Sequence, residues 1–145
     1  MSQIRGENMR ERENIELVKG MFGAFAQGRI EEVLQMVSED LDFQHPMPQS
    51  IWPWAGKRSG RQSLADFFAG LAKTVEYDQF EPREFIAQDD FVAVVLFERG
   101  RVKATAVTFD NLYVLVFKFA EGKVTQIRIF EDTTPIIAAL QGYRK

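Results

Sequence analysis

The stretch "TFDNLYVLVFKFAEGKVTQIRIFEDTTP", residues 108–135, decides the fold, because it contains two strand-like runs, the second of which is followed by two carboxylates. Val, Phe and Ile dominate both runs, and the polar "EGK" between them is typical of a turn. Upstream, "REFIAQDDFVAVVLFERG" at 83–100 predicts two strands about a "QDD" turn, and residues 101–119 predict two more. The second half of the chain therefore predicts a curved antiparallel sheet.

The first half of the chain has a different periodicity. Apolar residues recur at three- and four-residue steps over 14–28, 30–37 and 60–75, which predicts three helices. A short strand before His45 separates the second helix from the third, and Pro135 is typical of the start of a short C-terminal helix. This order predicts an α+β fold with the helices gathered on one sheet face.

Domain organisation follows from composition. Residues 1–13 alternate Arg and Glu without apolar anchors, which predicts a flexible charged arm. Residues 14–145 are then one domain, because a chain with 46 % hydrophobic residues and 13 Phe can bury a substantial core.

Charge and cysteine usage exclude several classes of function. A net charge of −3 and scattered Lys and Arg argue against nucleic acid as a partner. Without cysteine there is no disulfide or thiolate chemistry. The chain has neither a signal-peptide core nor an 18-residue apolar span, so we expect a cytoplasmic location away from membranes.

The sequence also lacks the motifs of metal and nucleotide sites. It contains no D-x-D-x-D-G loop, no G-x-G-x-x-G or P-loop, and no G-x-S-x-G elbow. We therefore expect neither a bound metal nor a cofactor.

The segment "NIELVKGMFGAFAQGRIEEVLQMVSEDLDFQHP" (14–46), a Trp and "GR" before the third helix, and residues 108–135 together resemble one family. This is the nuclear transport factor 2-like superfamily, most closely its SnoaL-like and ketosteroid-isomerase-related branch, over about 14–140. The resemblance implies a cone-shaped α+β roll with a deep apolar pocket between helices and concave sheet. It also implies a homodimer formed through the convex face. The superfamily includes scytalone dehydratase, limonene epoxide hydrolase and members without catalysis.

Asp132 is the first candidate base. Strand alternation places Arg128, Phe130 and Asp132 on one face of the last strand, and the resemblance implies that this face looks into the cone. Partial burial there would raise the pKa of Asp132 and suit it to accept a proton, while Arg128 would favour its anion. The alternative is that Asp132 only caps the final helix.

The opposite face of that strand predicts how the protein assembles. Ile127 and Ile129, with Val114 and Val116 of the preceding strand, are expected on the convex face. Such an apolar patch in water predicts a two-fold dimer.

His45, the sole histidine, is the second candidate base. The resemblance places it, directly before Pro46, where ketosteroid isomerases carry their Asp base, and a neutral imidazole could take a proton near pH 7. The alternative is a loop histidine hydrogen-bonded to backbone. Trp52 and Trp54 are expected to roof the pocket mouth, or else to pack against the third helix.

The oxyanion hole of ketosteroid isomerases, a Tyr and a protonated Asp, has no counterpart here. By the resemblance, Met21 and Leu115 occupy those positions, and neither side chain can donate a hydrogen bond. Steroid isomerisation by that mechanism is therefore disfavoured. Tyr113, on the same face as Leu115, is the phenol that could substitute, unless it is a core aromatic.

Two functions follow from these residues. The first is a cofactor-free isomerase or cyclase that moves a proton on an apolar carbonyl compound, with Asp132 or His45 as base and Tyr113 and Arg128 polarising the substrate. The second is a non-catalytic binder of a hydrophobic small molecule. The expected pocket wall consists of Met21, Phe22, Phe25, Phe67, Phe68, Leu115, Phe117 and Phe130.

Overall fold

The structure is a computed structural model that describes residues 8–143. Within this range the helices are α1 (Met9–Ala26), α2 (Ile30–Gln35), α3 (Arg61–Thr74) and α4 (Thr134–Leu140). The strands are β1 (Val37–His45), β2 (Gly56–Ser59), β3 (Val75–Gln88), β4 (Phe91–Val102), β5 (Thr108–Ala120) and β6 (Lys123–Phe130). The α+β class, the three early helices and the short C-terminal helix are confirmed.

All six strands form one curved sheet in the order β2-β1-β6-β5-β4-β3. Neighbouring strands are antiparallel except β1 and β6, which pair parallel. Helices α1 and α3 cover the concave face, where Val18, Leu41 and Val94 are fully buried. Among residues 8–143, no helix is both long and apolar enough to cross a membrane.

Helix α1 begins earlier than its apolar pattern predicts. Asn8 and Glu11 form a capping box, in which each side chain accepts a hydrogen bond from the backbone N–H of the other. Glu11 is only 2 % exposed and also accepts from the backbone N–H of Asp89 in the β3–β4 turn at 2.6 Å. Residues 9–13 of the predicted arm belong to this helix, and residues 1–7 lie outside the described range.

Strand β4 is longer than predicted. It runs without a break through "ERGRV" to Val102. Residues 101–119, which were predicted to form two strands, therefore contain the end of β4 and the single strand β5. Gly100 makes this possible, because a Cβ there would lie 3.0 Å from side-chain atoms of both Val75 and Phe109. A residue that packs this closely inside the sheet is not a turn residue.

Strand β6 contains a β-bulge that decides which side chains face inward. Lys118 pairs with Gln126 and Phe119 pairs with Val124, so Thr125 is an extra residue on β6. One extra residue reverses the alternation of everything after it. The side chains that therefore face the concave side are Ile127, Ile129 and Glu131.

Candidate active site

A cavity of about 110 Å³ lies between α1, α3 and the concave face of the sheet. For scale, an engineered apolar cavity of about 150 Å³ holds benzene. Most of its wall is aromatic or aliphatic, and the predicted wall residues that line it are Met21, Phe22, Phe25, Trp52, Phe67, Phe68, Leu115 and Phe117. The cavity therefore suits a small apolar guest.

Two predicted binding residues lie elsewhere. Phe130 is 60 % exposed on the outer face of the sheet, because the bulge at Thr125 reverses its direction. Trp54 packs against Trp52, with ring centroids 5.6 Å apart, and covers Gly70 of α3 so closely that a Cβ there would lie 2.2 Å from its ring. Packing against the third helix, the alternative for Trp54, agrees with this position.

Asp132 does not point into the cavity. Its side chain is exposed, and its Oδ1 accepts a hydrogen bond from the backbone N–H of Thr134 at 3.0 Å, in the turn that leads into α4. The hydrogen bonds from Thr134 lower the pKa of Asp132, whereas a raised pKa was predicted. The inward orientation of Asp132 is wrong. Its alternative role as the helix cap is not met either, because Thr133 occupies the N-cap position of α4 and Asp132 forms a turn one residue before it.

Arg128 is also on the outer side of β6. Its guanidinium donates to the backbone oxygen of Asp42 at 3.1 Å and to Asp42 Oδ2 at 2.9 Å, which ties β6 to β1. The prediction that Arg128 polarises a substrate in the cone is contradicted by this position. The bulge at Thr125 is again the reason.

The inward carboxylate at this end of the sheet is Glu131. His45 Nε2 donates to Glu131 Oε1 at 2.8 Å, and Asn111 Nδ2 donates to Glu131 Oε2 at 2.8 Å. The backbone N–H of Met47 donates to His45 Nδ1 at 3.2 Å. This pattern requires an imidazole that carries its proton on Nε2. His45 lines the cavity as predicted, but both ring nitrogens are engaged, so it orients Glu131.

The second inward carboxyl is Glu98, which projects from β4 and is 4 % exposed. Tyr113 Oη donates to Glu98 Oε1 at 2.8 Å. Burial raises the pKa of Glu98 to about 7, and the charge of Glu131 adds to the increase, while the hydrogen bonds from Tyr113 and Tyr77 oppose it. Glu98 therefore exchanges its proton near neutral pH.

Tyr113 faces the cavity beside Glu98, as its predicted polarising role requires. Burial, followed by the negative charge of Glu98, raises the pKa of Tyr113 well above its usual value. Tyr113 thus keeps its proton at physiological pH and remains a hydrogen-bond donor. Its role in chemistry stays a prediction.

The site therefore combines an apolar wall, a carboxyl that titrates near pH 7 and a phenol donor beside it. These are the parts that proton transfer next to an oxygen requires. No cluster of His, Cys, Asp and Glu suited to a metal ion occurs in the part of the chain that the structure describes.

Sequence reasoning missed most of the polar groups of this site. Glu98, Glu131, Tyr77 and Asn111 are not among the residues predicted for the site. The missing signal was the alternation of Val92, Val94 and Leu96, which are all buried and lead directly to Glu98 once β4 is treated as one strand.

Known structures share this architecture over nearly the whole chain. A nuclear transport factor 2-like protein from Burkholderia xenovorans LB400 is 35 % identical, with 93 % of this chain and 99 % of that chain covered and a TM-score of 0.81. TerC, co-crystallised with polyporic acid, is 24 % identical over 89 % of this chain and 98 % of its own, with a TM-score of 0.74. A candidate polyketide cyclase from Xanthomonas campestris pv. campestris is 18 % identical over 90 % and 98 %, with a TM-score of 0.76. The last two likenesses establish the fold alone.

Two comparisons establish the family of this chain, and a third found no match. No curated protein matches the chain. The SnoaL-like domain family matches residues 18–127, which is most of the chain. Together with the 35 % identical relative, this match shows that the chain belongs to the SnoaL-like family of the nuclear transport factor 2-like superfamily.

Proposed function

We propose that the protein is a cofactor-free enzyme of the isomerase or cyclase type, which moves a proton on a small, largely apolar carbonyl compound. The observation that carries the proposal is Glu98, a buried carboxyl with a pKa of about 7 in an otherwise apolar cavity. A general base works best when its pKa lies near the working pH. The name of the Xanthomonas relative, a candidate polyketide cyclase, points to the same class of chemistry.

In this proposal Glu98 takes a proton from the carbon next to the substrate carbonyl. The hydroxyl of Tyr113, which donates to Glu98 at rest, turns to the substrate oxygen and stabilises the enolate that forms. The protonated Glu98 then returns the proton to the same or another carbon. The charge of Glu131 favours the protonated form of Glu98, and His45 and Asn111 hold Glu131 in place.

The test is hydrogen exchange on a one-ring ketone. Acetophenone is incubated with the protein in D₂O, and deuterium at its methyl carbon is measured by mass spectrometry. We expect catalysed exchange that Glu98→Gln lowers by at least about 100-fold, since general base catalysis contributes about 10²–10⁴. Gln keeps the shape and an acceptor for Tyr113 but cannot take the proton.

The control is Glu84→Gln, the same substitution at an exposed position on β3. It should exchange acetophenone at the wild-type rate. Equal rates for Glu98→Gln and wild type would reject Glu98 as the base.

A non-catalytic binder is the second candidate, and one observation favours it. Both buried carboxyls already accept hydrogen bonds inside the protein. Tyr113 donates to Glu98, and His45 and Asn111 donate to Glu131. Polar groups that are hydrogen-bonded in this way can orient the oxygen of a bound apolar molecule without exchanging a proton. Quenching of Trp emission by acetophenone, without any deuterium exchange, would favour this binder.

A further inference from the structure

A second apolar space of about 630 Å³ adjoins the cavity. It is an open groove between the end of α1, the start of α2, the outer side of α3 and the start of β3. Its lining includes three small side chains of α3, Ala65, Ala69 and Ala72, as well as Ile30 of α2. The exposed Asp78 lies at its rim.

Three phenylalanine side chains, together with Leu71, Val75 and Tyr77, line both the groove and the cavity: Phe25, Phe68 and Phe80. The ring of Phe25 lies 5.3 Å from that of Phe68 and 5.0 Å from that of Phe80, centroid to centroid. The three rings come from α1, α3 and β3. The partition therefore consists of side chains, which can change rotamer without a shift of the backbone.

The sizes of the two spaces decide what they can hold. Sites for drug-sized ligands measure about 300–1,000 Å³, whereas the inner cavity measures about 110 Å³ and has room for about one ring. A longer molecule with its carbonyl at Glu98 can extend past the partition. The groove beyond it is large enough for the remainder.

We propose that the cavity and the groove are the two halves of one binding site for an elongated molecule. Its carbonyl-bearing ring lies beside Glu98 and Tyr113, and an apolar tail passes between Phe25, Phe68 and Phe80 into the groove. The carboxylate of Asp78 at the rim disfavours a tail that ends in an anion. This inference rests on the proposed function, which supplies the carbonyl at the inner end.

The test uses phenyl n-alkyl ketones of increasing chain length, from acetophenone to octanophenone. Binding is measured by the quenching of Trp emission, since Trp52 lines the cavity. We expect Kd to fall about three- to fourfold for each added CH₂, the factor that corresponds to about 0.8 kcal/mol per buried methylene.

Ala69→Phe fills the groove from α3 and should reduce the ratio of the acetophenone Kd to the octanophenone Kd by at least about tenfold. If Ala69→Phe melts at a lower temperature than the wild type, Ala72→Phe takes its place, because Ala72 lines the groove one turn further along α3. The control is Ala120→Phe, which adds the same ring at the exposed end of β5. It should keep the wild-type ratio.

Two results would overturn this inference: a Kd that does not depend on chain length in the wild type, or a dependence that persists when the groove is filled. If acetophenone still exchanges deuterium in the wild type, only the two-part site is rejected. If the wild type neither binds nor exchanges any ketone of the series, the proposed function fails and the two-part site fails with it.

Discussion

Glu98 links the chemistry of the site to the stability of the fold. Between its ordinary pKa of 4.5 and its folded pKa of about 7, the native state holds a proton that the unfolded chain releases. Stability therefore falls as the pH rises through this window and levels off above about pH 7. The buried carboxyl is thus tolerated at a cost to stability.

Glu98→Gln removes this titration. We expect the free energy of unfolding of the variant, relative to wild type, to rise by roughly 2–3 kcal/mol between pH 5 and pH 8. Urea denaturation at the two pH values measures it. The exposed Glu84→Gln should show no such change, and a variant whose relative stability is the same at both pH values would contradict the raised pKa.

The bulge in β6 shows at the level of elements what could be predicted from the sequence. Helical spacing and strand alternation correctly predicted the α+β class, the early helices and most of the cavity wall, because these patterns repeat over many residues. The orientation of Asp132 depends instead on one extra residue, Thr125. Apolar residues occupy both faces of the "IRIF" segment, so its pattern does not reveal which face is buried.

A one-residue insertion tests whether the position of the bulge fixes the side-chain directions of β6. An Ala inserted between Gln126 and Ile127 would turn Ile127 and the residues that follow it toward the outer face, so we expect a protein without fixed tertiary structure. Near-UV circular dichroism measures this loss. The control is deletion of Thr125, the extra residue, which leaves Lys118 opposite Gln126 and the inward residues unchanged and should therefore fold. An insertion variant with a native near-UV spectrum would contradict the role of the bulge.

The outer face of the whole sheet is the surface that we propose for dimer formation. Ile127 and Ile129 do not contribute, since both line the cavity. Leu112 and Phe130 are more than half exposed there and lie near Val114, which pairs with Phe130. The apolar face is therefore present, although half of its predicted members are wrong.

We expect a two-fold dimer at micromolar concentration in sedimentation velocity, because large apolar patches are rarely left in water. Phe130→Glu should shift the protein to a monomer by placing a charge in the interface. Met9→Lys, which changes an apolar residue on α1 that is also more than half exposed, should remain dimeric. A wild-type monomer would contradict the assembly.

The parallel pairing of β1 with β6 affects how the chain acquires its structure during synthesis. Phe43 lies opposite Ile127 in this pair, so the middle of the sheet joins segments more than 80 residues apart in sequence. Contacts of this kind slow folding, since a long loop must close before they form. Until β6 leaves the ribosome, β1 lacks this neighbour, and the apolar faces of α1 and α3 have no complete sheet to cover. The nascent chain is accordingly most exposed to aggregation, and most dependent on chaperones, shortly before its last strand emerges.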